Sequence, residues 1–215
     1  MNYSEKCPFC DGTRYINNKM ANLPTTEAIL FENEDLYVRV DISPLCLGHC
    51  LIITRKHYLN FFEIPIDLKQ QVKKIMEKIR SIYKKLYNSD VLFFEHGSAE
   101  PGYAGASIDH AHLHCIPCDY DISDILKDKL GTPVKCNIIT SKENFKNEYS
   151  YIYIENQSMG GYLYKVEKLP SQFLRKIVFD LEGSKDYKWQ EKCLTNDSKK
   201  NSLQTIEDLK GKIFI

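Results

Sequence analysis

Three short segments in the first half of the chain carry the hydrophobic pattern of β-strands. Residues 36–43, LYVRVDIS, alternate between apolar and polar side chains, as a strand with one buried face does. Residues 48–54, GHCLIIT, and residues 90–97, DVLFFEHG, contain short apolar runs, which favour buried strands. The pattern therefore predicts a strand at each of these three places.

Between the second and third of these strands, apolar side chains recur at helical spacing. They are Leu68, Val72, Ile75, Met76, Ile79, Ile82, Tyr83 and Leu86. Recurrence at three and four residues places them on one face of a helix, which we expect to pack against the core. Asp67 comes just before this series and can cap the helix. A series of strands with a helix across them predicts an α+β fold.

The pattern changes after about residue 130. Residues 147–156 and 160–167 predict a hairpin, and residues 170–183 predict a short helix that begins at Pro170 and ends at Gly183. Residues 191–215 are polar with a small apolar terminus, and we assign them no role beyond a docking tail. The chain therefore divides into residues 1–130 and an α+β extension with a tail, residues 131–215.

Composition narrows the class of protein. The chain has 215 residues, 43% hydrophobic and 27% charged, and its 29 Lys and Arg balance its 29 Asp and Glu. A net charge of zero argues against a nucleic-acid-binding protein, which usually carries a basic excess. The N-terminus has no signal-peptide pattern, and no apolar run approaches the ~20 residues of a membrane span. We therefore expect a cytoplasmic protein without a membrane partner, whose eight cysteines are reduced.

The densest chemistry in the sequence is the segment SIDHAHLHCIP, residues 107–117. It places His110, His112 and His114 at every second position, so a strand would present the three rings on one face. Ala111, Leu113 and Cys115 would then point into the core. A single histidine is usually a packing residue, but three crowded imidazoles cost stability unless they have partners or a ligand. The segment thus indicates a functional strand.

The segment HAHLHCI resembles the signature of the histidine triad (HIT) family of nucleotide hydrolases and transferases. Residues 41–65 and the series EHG…GASIDHAHLH resemble further parts of that family, so the likeness covers about residues 7–120. It implies a HIT-like antiparallel sheet of about five strands with a long helix packed across it. Residues 1–130 would form the nucleotide-binding catalytic domain, and a C-terminal hairpin and helix would extend it.

The resemblance also implies catalytic roles. His112 would be the nucleophile that attacks the α-phosphorus and forms a nucleotidyl-histidine. A backbone carbonyl near the Gly48–His49 turn would fix its tautomer. His114 would contact the phosphate and its bridging oxygen, and His49 would orient the triad.

Four further residues receive binding roles from the same resemblance. Asp41 would bind the ribose hydroxyls, Ile42 would lie against the base, and Ser107 would contact the phosphate. His96 would make an additional phosphate or substrate contact. The alternatives are a turn residue for Asp41, a surface hydroxyl for Ser107 and a packing or surface histidine for His96.

Cys7 and Cys10 form a C-x2-C pair, which can supply two thiolates to one zinc ion. The resemblance adds His57 and His110 as the other two ligands of a closed structural zinc site, with no organic cofactor. A rival pair, Cys115 and Cys118, is disfavoured because Cys115 faces away from His110 on a strand.

The function that follows is nucleotidyl transfer from a dinucleoside polyphosphate, nucleotide sugar or phosphoramidate to His112, and then to water or another acceptor. The alternatives are a metal-dependent hydrolase that uses the three clustered histidines and a nucleotide-binding protein without activity. Gln172 and Arg175 could reach a distal phosphate, although we expect a packing helix with an exposed arginine. The resemblance favours a homodimer, the alternative being a monomer completed by its extension.

Overall fold

The structure is a computed structural model that describes residues 7–10, 16–24, 26–101, 107–138, 149–157, 160–181 and 188–215. The strands within these ranges are β1 (Ile29–Glu32), β2 (Leu36–Val40), β3 (Cys50–Thr54), β4 (Val91–Gly97), β5 (His112–Pro117), β6 (Val134–Lys135), β7 (Ser150–Asn156) and β8 (Gly160–Val166). The helices are α1 (Ile16–Met20), α2 (Ile66–Leu86), α3 (Ser123–Leu130), α4 (Phe173–Leu181), α5 (Trp189–Lys192) and α6 (Asn196–Leu209). In the described ranges, every helix is too short or too polar to cross a bilayer.

All eight described strands form one antiparallel sheet in the order β1-β2-β3-β5-β4-β7-β8-β6. The prediction of an α+β fold with an antiparallel sheet is confirmed, but the number of about five strands is wrong. The predicted hairpin, β7 and β8, continues the sheet because β7 pairs with β4, with Phe93 opposite Glu155. This pairing satisfies the backbone groups that an edge at β4 would leave exposed. The start of the first hairpin segment and part of its turn lie outside the described residues.

The long helix α2 packs across one face of the sheet, as its apolar spacing predicts. Val72, Ile75 and Ile79 are fully buried in a core cluster that also contains Leu113 and Cys115 of β5. The helix begins at Ile66 with Pro65 in the cap position, so the prediction that Asp67 caps it is wrong; Asp67 lies in the first turn. A carboxylate there still interacts favourably with the amide groups at the helix start.

The opposite face of the sheet is covered by two separate apolar clusters. One joins the N-terminal residues Cys7, Phe9 and Cys10 to strands β1 to β3. The other joins helices α3 and α4 to strands β4, β5, β7 and β8. Because side chains alternate across a strand, the residues of β5 that do not face α2 point to this face. The functional histidines of β5 therefore lie between the two clusters.

Two corrections concern the C-terminal part. Helix α4 begins at Phe173, so Pro170 lies before the helix and does not occupy its first position. The predicted end at Gly183 lies outside the described residues. The polar segment that the sequence left as a tail contains the 14-residue helix α6, whose Ile206 and Leu209 enter the α2-side core. Thr195 caps α6 by accepting a hydrogen bond from the Ser198 amide at 3.2 Å.

A buried carboxyl group, Glu95, links β4 to its neighbours on the α2 side. Its Oε1 accepts a hydrogen bond from the Phe61 amide at 2.9 Å, and its Oε2 accepts one from the Tyr151 hydroxyl at 2.5 Å. Burial raises the pKa of Glu95 to about 8, and these hydrogen bonds offset only part of that rise. The group is therefore protonated in the folded protein at neutral pH.

We expect Glu95 to make the protein less stable as the pH rises. An unfolded Glu ionises near pH ~4.3, so between about pH 4.3 and 8 the folded chain holds one proton more than the unfolded chain. This group alone lowers the unfolding free energy by up to about 1.4 kcal/mol per pH unit in that window. Glu95→Gln cannot ionise, and its carbonyl oxygen can accept from the Phe61 amide while its NH2 donates to the Tyr151 hydroxyl. Its urea-unfolding free energy should therefore fall less with pH than that of the wild type. Glu77→Gln, at an exposed position, is the control, and its unfolding free energy should change with pH as that of the wild type does. If the curve of Glu95→Gln against pH were parallel to that of the wild type, the raised pKa of Glu95 would be contradicted.

Candidate active site

His112 is the first residue of β5 and points to the face opposite α2. Its Nδ1 lies 2.6 Å from the carbonyl oxygen of His110, so Nδ1–H donates to that carbonyl. The neutral ring then has a free lone pair on Nε2. Burial lowers the pKa of His112, which keeps the ring neutral. The prediction that a carbonyl near the Gly48–His49 turn fixes this tautomer is wrong, because the chain before β5 turns the His110 carbonyl toward the ring.

His114, two residues along the same strand, receives the opposite tautomer. The Leu45 amide donates to Nδ1 of His49 at 3.0 Å, so the proton of His49 is on Nε2. That nitrogen lies 2.9 Å from Nδ1 of His114 and donates to it, which leaves the His114 proton on Nε2. Burial lowers the pKa of His49 to about 4 and that of His114 well below its usual value, so both rings are neutral.

Asp41 lies beside these two rings and carries the negative charge of the site. Its Oδ1 accepts a hydrogen bond from the Ser43 amide at 2.7 Å, and its Oδ2 is 3.6 Å from Nε2 of His49 and 3.9 Å from Nδ1 of His114. Burial acts to raise the pKa of Asp41, but His49, Arg175 and the Ser43 amide outweigh it and the pKa is lowered. The carboxyl group is therefore ionised at neutral pH.

A pocket opens above His112 and His114. The four residues with predicted binding roles, Asp41, Ile42, Ser107 and His96, all line it. The other lining residues are Phe9, Arg39, Leu51, Ile108, Gln172, Arg175 and Trp189. His49 is fully buried behind His114 and does not line the pocket; it contacts the two lining residues His114 and Asp41. The structure thus brings the predicted binding residues together with His112 and His114, the two predicted catalytic histidines of β5, at one cavity.

Two of the lining residues also contact the extension. His96 accepts a hydrogen bond on Nε2 from the Leu174 amide of α4 at 3.3 Å, and burial lowers its pKa to about 3. Ser107 is exposed, and its hydroxyl lies 3.0 Å from that of Ser171. Residues 102–106, which precede Ser107, lie outside the described residues.

The extension supplies part of the pocket wall through Gln172 and Arg175, which were considered from the sequence as phosphate contacts but assigned to a packing helix. Trp189 also lines the pocket, and the sequence predicted no role for it. Arg175 of α4 is 5% exposed and not a surface residue, so the expectation of an exposed arginine is wrong. Its Nη2 donates to the Ser43 carbonyl at 2.5 Å, and its Nη1 lies 3.6 Å from Oδ2 of Asp41. The sequence feature that could have predicted its burial is its spacing: Arg175 lies one helical turn before Val178, at the edge of the apolar face of α4.

The three histidines of the motif divide between two sites on the sheet face opposite α2, while Ala111, Leu113 and Cys115 enter the α2-side core as the alternation predicts. His110 precedes β5, and its ring turns away from the pocket toward the N-terminal segment. Its Nδ1 is 3.4 Å from Sγ of Cys7 and 3.7 Å from Sγ of Cys10, and Nδ1 of His57 is 3.3 Å from Sγ of Cys10. These four side chains place their ligand atoms within 4.8 Å of one another. The ring of Phe9 lies between the two sites, 6.0 Å from that of His110 and 5.2 Å from that of His112.

The cluster of Cys7, Cys10, His57 and His110 fits a tetrahedral metal ion. Bonds of about 2.3 Å to sulfur and 2.0–2.1 Å to nitrogen place neighbouring ligand atoms about 3.3–3.8 Å apart, which matches the observed S···N distances. Nε2 of His110 lies 2.6 Å from the Thr54 carbonyl and donates to it, so Nδ1 is left free to bind a metal. The cluster could therefore hold a metal ion.

Helix α6 braces the opposite end of the site. The Gly48 amide donates to the Thr205 hydroxyl at 2.9 Å, and the Ser202 hydroxyl donates to the Asp41 carbonyl at 3.0 Å. Gly48 has φ +87°, and a Cβ there would lie 2.7 Å from the Tyr87 ring, so the turn before His49 requires glycine. The C-terminal helix thus fixes the backbone that carries Asp41 and His49.

The fold and the site define an α+β protein in which a central antiparallel strand presents two neutral histidines of opposite tautomer to a pocket. The family model described as the HIT domain matches residues 23–120. An uncharacterized HIT-like protein of Methanocaldococcus jannaschii is 30% identical over 112 residues, which cover 52% of this chain and 78% of that protein. The chain belongs to the HIT family, and the resemblance predicted from its sequence is confirmed.

Two relatives with named activities are similar over the same part of the chain. The adenosine 5′-monophosphoramidase HINT3 of Mus musculus is 29% identical over 115 residues, covering 54% of this chain and 65% of that protein. A bis(5′-adenosyl)-triphosphatase of Saccharomyces cerevisiae is 28% identical over 129 residues, covering 58% of this chain and 61% of that protein. Both matches leave a large part of this chain without a counterpart.

We expect the Thr205 hydroxyl to stabilise the turn that carries His49. Thr205→Val keeps the shape of the side chain but leaves the buried Gly48 amide without an acceptor, which costs about 1–3 kcal/mol. Urea unfolding should show this loss, whereas Thr205→Ser keeps the hydroxyl and should lose less. Equal stability of the valine variant and the wild type would contradict the bracing role.

Proposed function

We propose that this protein transfers the nucleotidyl group of a nucleoside phosphate derivative to His112 and then to water. The observation that carries the proposal is the pair of opposite tautomers in one pocket. His112 offers a lone pair on Nε2, as a nucleophile requires, and His114 offers an N–H on Nε2, as a charge-stabilising donor requires.

In the first step, Nε2 of His112 bonds to the α-phosphorus, and the bond from phosphorus to the leaving-group atom breaks with its electron pair. His114 donates a hydrogen bond to that atom and stabilises its developing charge. The His110 carbonyl accepts a hydrogen bond from Nδ1–H of His112, whose ring becomes positively charged in the intermediate. In the second step, water attacks the phosphorus, His112 leaves as neutral imidazole, and the nucleoside monophosphate and one proton are released.

The substrate that we propose is an adenosine derivative linked through its 5′-phosphate. The two named relatives act, by their names, on an adenosine phosphoramidate and on bis(5′-adenosyl) triphosphate. Asp41 would accept hydrogen bonds from the ribose hydroxyls, Ile42 would lie against the base, and Ser107 and His96 would contact the phosphate. Bis(5′-adenosyl) triphosphate, nucleotide sugars and adenosine phosphoramidate form the assay panel, each with and without inorganic phosphate.

The metal-dependent hydrolase alternative is not favoured by the geometry. The three histidines of the motif divide between two places, with His110 in the cysteine cluster and His112 and His114 at the pocket. Asp41, His49 and His114 do lie within 4.8 Å of one another, so loss of activity on brief chelation would revive this alternative. The non-enzymatic alternative would be supported by nucleotide binding without turnover of any member of the panel.

We also propose that the Cys7, Cys10, His57 and His110 cluster binds a structural zinc ion. Two thiolates and two imidazoles complete its coordination, so no open position remains for a substrate or a water molecule. When bound, the ion would fix the N-terminal segment against the strand that carries His112. The homodimer, the cytoplasmic location and the division near residue 130 stay predictions.

The first test of the mechanism is the replacement of the proposed nucleophile. His112→Asn should reduce turnover of the best substrate by about 10³-fold or more, because the lone pair that attacks phosphorus is lost. Labelled adenosine substrate should be trapped on the wild type through an acid-labile bond and should not be trapped on the variant. Turnover within tenfold of the wild type, with an unchanged melting temperature, would reject the mechanism.

A second test addresses the metal. The purified protein should contain about one zinc per chain, and Cys10→Ala should lose the metal and unfold at a lower temperature. Cys118→Ala is the matched control, since it removes another buried thiol outside the cluster and should retain the zinc. Metal content that is unchanged in Cys10→Ala would show that the cluster is not the zinc site.

A further inference from the structure

We propose that Arg175 binds the 5′-phosphate of the nucleotide and is a specificity-determining residue of this site. The inference rests on the nucleotide-binding role given in the proposed function. Arg175 belongs to the extension, 55 positions beyond the end of the HIT domain match at residue 120. It is therefore a feature of this chain that the family match does not contain.

The first observation is the location of Arg175. It is almost fully buried, yet it lines the pocket together with His112 and His114. Asp41, the proposed ribose ligand, has its Oδ2 3.6 Å from Nη1 of Arg175 and 3.9 Å from Nδ1 of His114. The guanidinium therefore lies beside the proposed ribose ligand in the pocket that His112 and His114 line, where the adjoining 5′-phosphate would bind.

The second observation is the hydrogen bonding of the guanidinium. Its Nη2 is held by the Ser43 carbonyl at 2.5 Å and by the Ser43 hydroxyl at 3.2 Å, and its Nη1 faces Asp41. These contacts orient the side chain, but the buried Nε has no hydrogen-bond partner among the described residues. A buried N–H without an acceptor costs about 1–3 kcal/mol, so binding of a ligand that supplies an acceptor to Nε is favoured. A phosphate oxygen is an acceptor of the right charge.

The ion pair with Asp41 alone does not account for this arrangement. A purely structural pair would be enclosed by protein, whereas both Asp41 and Arg175 border the cavity. The amide at the start of α4 does not replace Arg175 as the anion ligand either, because the Leu174 N–H already donates to His96. Arg175 therefore supplies the fixed positive charge on the α4 side of the pocket.

The test compares AMP with adenosine, which differ only in the phosphate. Trp189 is the only tryptophan of the chain and lines the pocket, so its fluorescence can report binding of both ligands without turnover. We expect the wild type to bind AMP at least about tenfold more tightly than adenosine. Arg175→Gln should reduce this preference by about tenfold or more and leave adenosine binding within about twofold.

Two further variants make the result specific. Lys176→Gln removes a positive charge from the exposed side of the same helix and should keep the full preference for AMP. Arg175→Lys keeps the charge opposite Asp41 but lacks the guanidinium fork, so it should fold even if Arg175→Gln does not, and should lose about threefold or more of the preference.

An unchanged preference in Arg175→Gln, or in Arg175→Lys if the Gln variant does not fold, overturns the inference. A parallel loss of AMP and adenosine binding also overturns it, because it would assign Arg175 only to the support of Asp41. A wild type that binds neither ligand, or binds both equally, overturns it too. A wild type that prefers AMP through Arg175 but turns over no substrate would reject the covalent mechanism and leave this inference intact.

Discussion

The chemistry of the site depends on one chain of hydrogen bonds that begins at a backbone amide. The Leu45 N–H can only donate, so Nδ1 of His49 must accept, and the proton positions of His49 and His114 follow in turn. A single backbone group thus decides that the His114 ring presents an N–H to the pocket. The separate bond from His112 to the His110 carbonyl gives that ring the opposite arrangement. Neither assignment requires a charged histidine, and burial keeps all three rings neutral.

The sheet provides the rigidity that this chain of bonds needs. β5 lies between β3 and β4, with His114 opposite Leu51 on one side and Phe94 on the other. The Phe94 ring stacks on that of His114 with centroids 4.4 Å apart. The proposed nucleophile and its neighbour therefore belong to a strand that is paired on both sides, where small displacements are costly. The loops and the extension then close the pocket around a fixed pair of rings.

The sequence predicted what local patterns encode. The apolar spacing of α2 located the long helix, and alternation across β5 correctly placed Leu113 and Cys115 in the core opposite His112 and His114. The signature around His112 also led to the family. Alternation also held at Ala111, which enters the same core, and at His110, which faces Cys7 and Cys10. The pattern did not show that β5 begins only at His112, because a strand boundary is set by pairing with the neighbouring strand. The prediction that Asp67 caps α2 was wrong because the helix already begins at Ile66, with Pro65 in the cap position and Asp67 in the first turn.

The burial of Arg175, its partners and the role of α6 could not be predicted, because they depend on contacts between residues more than 130 positions apart. Nothing near Arg175 in the sequence indicates that Ser43 and Asp41 will be its partners. The hydroxyls of Ser202 and Thr205 lie in a polar segment that has no signal of burial until α6 packs on the sheet. Such contacts are visible only once the fold has formed.

The two terminal segments converge on the same cavity from opposite directions. Phe9, in the N-terminal segment, forms part of the pocket wall. Ser202 and Thr205, in the C-terminal helix α6, form hydrogen bonds to the backbone of Asp41 and Gly48. In most domains the ends are the regions that tolerate trimming. Here residues of both segments belong to the site: loss of Phe9 would open the wall of the pocket, and loss of Thr205 would leave the Gly48 amide, next to His49, without its acceptor.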